Sequence, residues 1–137
     1  MLEKVFHKNY YYTTVEIDEN VCYLAQKYAL SDLQSPIQVI TADAYAFVMQ
    51  CQEKFDLICM DIFLDDLVPK QFESLEFLEA LKSLLEQDGV LLFNRLALSD
   101  KDILRTKTFF KNNFKTVFPN GKYWDVKGNW MLLNKQL

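Results

Sequence analysis

Hydrophobic and polar positions follow two alternating periods along the chain, and each change of period marks a new predicted element. A helical period, with apolar residues three and four positions apart, predicts helices over residues 2–8, 18–29, 43–52, 74–86 and 99–112. Short apolar or β-branched runs predict strands over residues 13–17, 37–41, 55–61, 90–94, 116–118 and 130–134. Strand and helix therefore alternate through most of the sequence.

The order of these elements predicts an α/β fold of the Rossmann-like kind. Alternating strands and helices fold into a mostly parallel sheet with helices on both faces. The strand over residues 55–61 is an apolar run typical of strands buried on both faces, so it is predicted to be central. The last two predicted strands are joined through Asn120-Gly121 and a second turn at Gly128, which predicts a C-terminal antiparallel β-hairpin.

The length and apolar content fit one domain over residues 1–137. Half of the 137 residues are hydrophobic, enough for one sizeable core. No apolar run approaches the roughly 20 residues that a membrane span requires. The N-terminal segment also lacks the apolar core of a signal peptide. We therefore expect a cytoplasmic protein without membrane contact.

Charge and cysteine content exclude several function classes. The chain carries 15 Lys and Arg against 19 Asp and Glu, a formal charge of -4, so it lacks the basic surface that binds a nucleic-acid backbone. Cys22, Cys51 and Cys59 form no CxxC pair and no cluster with His7, so neither a disulfide framework nor a metal site is expected. Cys59 lies within an apolar run and is predicted to be buried and unreactive.

Three acidic residues fall at or just after the ends of predicted strands, where ligands bind in open parallel sheets. Glu16 can accept both hydroxyls of a ribose, although a solvated strand end fits its position about as well. Asp43 could accept a hydrogen bond from an adenine amino group, with Ala44 leaving room for the ring. The spacing alone favours a helix N-cap for Asp43 by about two to one.

The third acid, Asp61, ends the most apolar predicted strand. Partial desolvation there would make it a usable proton acceptor or an anchor for a cationic amine. A strand-end acid without an evident partner is more often functional than structural. Asn94 and Arg95, at the end of another predicted strand, could line an acceptor pocket or cap the sheet, and the sequence assigns them to neither.

An ordered set of segments resembles the successive motifs of spermidine synthase-like proteins, a branch of the class I S-adenosylmethionine-dependent methyltransferases. These segments are residues 14–21, 42–47, 55–63, 68–69 and 88–94. The resemblance implies a methyltransferase fold in which Glu16 holds the ribose of S-adenosylmethionine, or of its decarboxylated form, and Asp43 and Ala44 hold the adenine. It also implies that Asp61 faces the transferred group, in methyl or in aminopropyl transfer, where it would orient an acceptor amine.

The sequence departs from that family at three places. The family begins its cofactor site with a strand and a glycine-rich loop, whereas Gly89, Gly121 and Gly128 all come late. The first strand is therefore expected to be missing, and the chain to be N-terminally truncated relative to the family. The small N-terminal β-domain of polyamine synthases has no counterpart either. Where those enzymes carry a second acid, this chain has Leu64, and the following Asp65 is a weaker candidate for substrate binding.

Two other functions fit parts of the pattern. A catalytically silent methyltransferase-like partner subunit would explain the missing glycine loop. Aromatic residues at 10–12 or 123–124 would then serve an interface, although packing in the core or at a sheet edge explains them somewhat better. A homo-oligomer is one arrangement that the sequence allows. A phosphoacceptor receiver domain would explain Glu16 and Asp18 ahead of Asp61, but the lysine expected after its last parallel strand is absent. The sequence identifies neither the acceptor nor the transferred group.

Overall fold

A computed structural model describes residues 2–64 and 67–137 of the chain. The chain divides into two compact units, Met1–Gln50 and Cys51–Leu137, named unit 1 and unit 2 below. The expectation of a single domain over residues 1–137 stays a prediction. Among the described residues, no helix combines the length and the apolar character needed to cross a bilayer.

Unit 1 is built around two parallel strands. Its elements are α1 (Leu2–Phe6), β1 (Tyr12–Glu16), α2 (Glu19–Leu24) with a π-helical continuation (Ala25–Leu30), β2 (Ile37–Thr41) and α3 (Ala44–Gln50). The two strands pair in register from Tyr12 opposite Ile37 to Glu16 opposite Thr41. Because they are parallel, both strands end at the same edge of this small sheet.

Glu3 ties α1 to the loop that precedes β2. Its Oε1 accepts a hydrogen bond from the backbone amide of Gln34 at 2.8 Å, and its Oε2 accepts from the amide and the hydroxyl of Ser35 at 2.8 and 2.5 Å. The Ser35 hydroxyl, followed by the amide of Gln34, lowers the pKa of Glu3. The folded state of unit 1 therefore favours the ionised form of the Glu3 carboxylate.

Unit 2 contains a four-stranded sheet in the order β3-β4-β6-β5. Its elements are β3 (Phe55–Met60), a 3₁₀ turn (Lys70–Glu73), α4 (Leu75–Ser83), β4 (Leu85–Leu96), α5 (Asp100–Phe109) with a π-helical continuation (Phe110–Phe114), α6 (Lys115–Val117), β5 (Lys122–Asp125) and β6 (Asn129–Leu133). Strand β3 is parallel to β4, whereas β6 is antiparallel to both β4 and β5. A C-terminal antiparallel hairpin thus completes the sheet, as predicted.

The core of unit 2 lies between the sheet and its helices. Helix α4 contributes Phe77, Leu78 and Leu81, all fully buried, and β4 contributes Leu91. Burying each such side chain stabilises the fold by roughly 1.5–3 kcal/mol. Phe114, also fully buried, adds an aromatic contact from the far end of α5. The apolar spacing that predicted these helices is therefore the spacing that the core uses.

Residues 116 and 117 of the predicted strand over residues 116–118 are helical instead, and Phe118 is the residue that ends the helix. Phe114, Val117 and Phe118 are buried at helical spacing, so packing continues the helix through α6. The hairpin turns at Lys127 and Gly128, whose φ angles of 51° and 91° are both positive, as in a type I′ turn. Of the two predicted turns, the one at Gly128 therefore forms the hairpin, whereas Asn120-Gly121 precedes β5.

Strand β3 differs from its prediction in position and in burial. It lies at the end of the strand order of unit 2, and its Leu57 is 48% exposed, so the prediction of a central, doubly buried strand is wrong in unit 2. The pairing of β3 with β4 shifts register between Phe55 and Leu57. Gly89 lies in this irregular stretch, where a Cβ would come within 2.9 Å of the Phe55 carbonyl oxygen. Strand β4 accordingly begins before Gly89, earlier than predicted.

Candidate functional site

The two acids predicted to bind a nucleoside lie at one edge of the unit 1 sheet. Glu16 is the last residue of β1, and Asp43 follows the end of β2 by two residues. The amide of Ala42 donates to the Glu16 carbonyl oxygen at 3.0 Å, which holds the two segments together just beyond the strands. Unit 1 therefore brings Glu16 and Asp43 to the same carboxyl edge.

The Glu16 side chain is half-buried, and one of its two carboxylate oxygens is hydrogen-bonded within the protein. Its Oε1 accepts a hydrogen bond at 2.9 Å from the backbone amide of Asp18, the residue that caps α2. Its Oε2 has no protein partner among the described residues. The bond to the Asp18 amide orients the carboxylate and leaves acceptor capacity for a ligand hydroxyl.

Asp43 has the capping role that its spacing favoured. Its Oδ1 accepts from the amide of Ala46 at 2.9 Å, and its carbonyl oxygen accepts from the amide of Phe47 at 2.9 Å, so it begins α3. The side chain is exposed, and Oδ2 has no protein partner in the part of the chain that the structure describes. Ala44, the half-buried first residue of α3, adds only a methyl group beside it.

Asp61 follows directly after β3 in unit 2 and is exposed, so the burial that the sequence predicted is absent. Met60 pairs with Phe93, which places Asp61 beside Asn94 on the neighbouring strand. The Asn94 Nδ2 donates to Asp61 Oδ1 at 2.8 Å, and Asn129 Nδ2 donates to Asn94 Oδ1 at 2.8 Å. Any role of Asp61 thus depends on its position and hydrogen bonds rather than on burial.

Sequence reasoning named Asn94 without assigning it a role, and it did not find Asn129. Asn94 could have been assigned from its place at the end of the strand next to the one that Asp61 ends. Asn129 could not, because it precedes the predicted strand over residues 130–134 and only the pairing of β6 with β4 brings its side chain to Asn94. Together they form a hydrogen-bonded chain from β6 through β4 to the acid after β3.

Cys59, on β3 two residues before Asp61, is exposed, contrary to the prediction that it is buried. Partial desolvation of its sulfur raises the pKa of the Cys59 thiol, and the negative charge of Asp61 raises it further. Less thiolate is therefore present at neutral pH than in an unperturbed cysteine.

Arg95 has a structural role. Its side chain is only 3% exposed, and its Nη2 lies 2.5 Å from Oε1 of Glu73. The guanidinium carbon also lies 4.6 Å from the ring centroid of Phe109. The Nε and Nη1 of Arg95 have no hydrogen-bond partner among the described residues, so Glu73 is the charged group that offsets the burial of the guanidinium. Arg95 is a buried ion-pair residue of the sheet.

The other candidate residues divide between exposed and undescribed positions. Asp65 lies outside the described residues, so its role stays a prediction. Tyr11 is 90% exposed, whereas Tyr123 stacks on Trp130 with ring centroids 3.9 Å apart.

Within residues 2–64 and 67–137, no three His, Cys, Asp or Glu side chains are grouped as metal ligands. How Glu16 and Asp43 of unit 1 are arranged with respect to Asp61 of unit 2 also stays a prediction.

The model of the spermine/spermidine synthase domain matches residues 1–132. A probable polyamine aminopropyl transferase of Bifidobacterium longum is 34% identical over 88 residues, which are 64% of this chain and 19% of that protein. A polyamine aminopropyltransferase of Vibrio vulnificus is 32% identical over 88 residues, which are 62% of this chain and 29% of that protein. The chain therefore matches less than a third of the length of either curated relative.

Solved structures show the same fold. A probable spermidine synthase from Corynebacterium glutamicum superposes with a TM-score of 0.74 at 22% identity, covering 88% of this chain and 46% of that one. Human methyltransferase-like protein 13, solved in complex with SAH, has a TM-score of 0.74 at 21% identity, covering 91% of this chain and 60% of that one. The predicted Rossmann-like methyltransferase fold is confirmed, and the receiver-domain alternative is wrong. The chain belongs to the spermine/spermidine synthase family.

Proposed function

We propose that this chain is a transferase domain that binds S-adenosylmethionine or its decarboxylated form and transfers a methyl or aminopropyl group to an amine acceptor. The observation that carries the proposal is the edge of the β1–β2 pair, where Glu16 and Asp43 lie together. Each keeps one carboxylate oxygen without a protein partner among the described residues. Family membership supports the same assignment.

The residues of unit 1 fit an adenosyl group. Glu16, oriented by the amide of Asp18, would accept hydrogen bonds from the ribose hydroxyls. Asp43 would use Oδ2 for the adenine amino group while Oδ1 continues to cap α3. Ala44 leaves space for the ring because its side chain is a single methyl group. When bound, the sulfonium compound would supply a carbon that is open to nucleophilic displacement.

Asp61 would serve the acceptor. An exposed carboxylate at the end of a strand can bind an amine and accept the proton that the amine loses as it attacks. One oxygen of Asp61 is engaged by Asn94, so the other would face the acceptor nitrogen. Asp65 remains a weaker candidate for a second contact with the acceptor.

Calorimetric titration with S-adenosylmethionine, its decarboxylated form and methylthioadenosine tests the proposal. We expect Glu16→Ala to weaken binding by about 1.5–3 kcal/mol, because a charge-assisted hydrogen bond is lost. Glu16→Gln keeps the acceptor for the Asp18 amide and separates the lost charge from the lost local structure. Glu19→Ala, at an exposed position in the first turn of α2, is the matched control and should bind as the wild type does.

The preferred ligand distinguishes the two transfer reactions. Tighter binding of the decarboxylated compound indicates aminopropyl transfer, and tighter binding of S-adenosylmethionine indicates methyl transfer. Failure of a folded wild-type chain to bind any of the three contradicts the proposal and favours the catalytically silent partner. Unchanged affinity in Glu16→Ala, with the fold intact, removes Glu16 from the site.

A further inference from the structure

Two asparagines connect Asp61 to the hairpin of unit 2. Asn94 lies near the end of β4, and Asn129 is the first residue of β6. Both side chains are half-buried, and both of their hydrogen bonds are 2.8 Å long. The chain of bonds crosses from β6 to β4 and ends on the acid that follows β3.

The charge of Asp61 fixes the direction of every bond in this chain. An ionised carboxylate can only accept, so Asn94 must turn its NH₂ group towards Asp61. The carbonyl oxygen of Asn94 then faces Asn129, which must in turn donate its own NH₂ group. This assignment leaves no alternative amide orientation that keeps both bonds.

The backbone around Asn129 holds the donor in place. Asn129 follows the type I′ turn directly and pairs with Leu96 of β4. Its carbonyl oxygen accepts from the amide of Val126 at 2.9 Å, and the carbonyl oxygen of Gly128 accepts from Ala97 at 2.7 Å. These backbone bonds fix the position of the Asn129 Cα atom, and the bond to Asn94 then holds the side-chain amide.

We propose that Asn94 and Asn129 are positioning residues that hold the Asp61 carboxylate with Oδ1 occupied and Oδ2 presented to the amine acceptor. This inference rests on the proposed function, because it assigns the asparagines a role in acceptor binding. It also requires the acceptor to donate a hydrogen bond to Oδ2, as an amine does, since an ionised carboxylate oxygen can only accept. Neither asparagine needs to touch the acceptor.

A double-mutant cycle on binding of 1,4-diaminobutane to the whole chain tests the inference. We expect Asn129→Ala to weaken amine binding by about 3- to 10-fold, the effect of losing one hydrogen bond. In the Asp61→Ala background the same substitution should have no further effect, because Asn129 acts only through Asp61. Asn112→Ala, at an exposed asparagine of the same unit, is the control and should leave the affinity unchanged.

Side-chain amide resonances of Asn94 provide a readout that does not depend on the acceptor. Asn129→Ala and Asp61→Ala should each shift them, whereas Asn112→Ala should not. Asn129→Leu, which keeps the shape of the side chain but donates no hydrogen bond, replaces Asn129→Ala if that variant does not fold.

Three outcomes would overturn the inference. Equal loss of amine affinity in both backgrounds would show that Asn129 has only a structural role. Unchanged affinity in Asn129→Ala, with the amine still binding, would overturn the inference and leave the proposed function intact. Absence of amine binding to the wild type would overturn both, and the titration with adenosyl ligands would show whether the cofactor half of the proposal survives.

Discussion

The buried ion pair between Arg95 and Glu73 gives an asymmetric prediction for stability. The Arg95 side chain is 3% exposed, whereas that of Glu73 is 24% exposed, so folding removes more water from the Arg95 charge than from the Glu73 charge. Burial lowers the pKa of Arg95, and the charge and contact of Glu73 oppose that effect. We expect Glu73→Gln to destabilise unit 2 more than Arg95→Met does.

The magnitude follows from the separation and the burial of the two charges. At 2.5 Å and an effective dielectric constant of about 20, Coulomb's law gives roughly 7 kcal/mol of attraction, most of which offsets the desolvation of the guanidinium. Glu73→Gln leaves that desolvation uncompensated, so the free energy of unfolding should fall by about 3 kcal/mol, at the low end of the known range because water reaches Glu73. Arg95→Met removes the buried charge, keeps an apolar stem near Phe109 and should cost only about 1 kcal/mol.

Urea unfolding followed by tryptophan fluorescence measures the free energy of unfolding of unit 2, which contains both partners of the ion pair. The chain has two tryptophans, Trp124 and Trp130, and both lie in unit 2. Trp130 is 5% exposed, so its emission should change strongly when unit 2 unfolds. An unchanged dependence of the unfolding free energy on urea among the variants shows that the same surface is exposed in each.

The double variant completes the test. If Glu73 matters only as the partner of Arg95, then Glu73→Gln combined with Arg95→Met should cost about as much as Arg95→Met alone. The reasoning is refuted if Arg95→Met proves more damaging than Glu73→Gln. It is also refuted if Glu73→Gln lowers the free energy of unfolding by less than about 1 kcal/mol, because a buried guanidinium without a charged partner should destabilise the fold by more than that.

Three further predictions concern local structure. Because the pKa of Glu3 is lowered on folding, the contribution of Glu3 to stability is complete above about pH 4.5 and is lost as the pH falls through the lower pKa of the folded state. The chemical shift of the Ser35 amide should change over that lower pH range in the wild type and not in Glu3→Gln. Ser74 caps α4 through Phe77, so Ser74→Ala should lower the free energy of unfolding in urea by about 1 kcal/mol and Ser74→Gly by less. Gly128 has a φ of 91°, so Gly128→Ala should cost about 1–2 kcal/mol in the same assay and Gly128→Asn less.

The helices were predictable because their signals are local. The apolar spacing in α4 and the capping acid before α2 are read from residues three or four apart, and the structure uses both. The antiparallel hairpin and its turn at Gly128 were predicted, but its first strand was misplaced. Asn120-Gly121 also has the preferred composition of a two-residue turn, but Phe118 is buried against the preceding helix, β5 begins at Lys122, and the hairpin turns at Lys127 and Gly128. Tertiary packing decided between two turns that local composition could not rank.

The burial of β3 shows a different limit. An apolar strand indicates that something covers both of its faces, but the composition of the strand does not say which segment does so. Leu57 and Cys59 were expected to be covered and are exposed. The same limit applies to Asp61, whose predicted desolvation depended on the same covering. A property that depends on neighbours distant in sequence could not be read from the strand alone.

The three predicted acids share a pattern that the sequence could not show. Each uses one carboxylate oxygen to accept a hydrogen bond from the protein, from a backbone amide in Glu16 and Asp43 and from Asn94 in Asp61. Each leaves the other oxygen without a protein partner among the described residues. The capping and ligand-binding interpretations of Asp43 are therefore compatible, because the bond that begins the helix also fixes the direction of the free oxygen. Substitution of such an acid by its amide, which keeps one acceptor oxygen and removes the charge, should separate the two roles at all three positions.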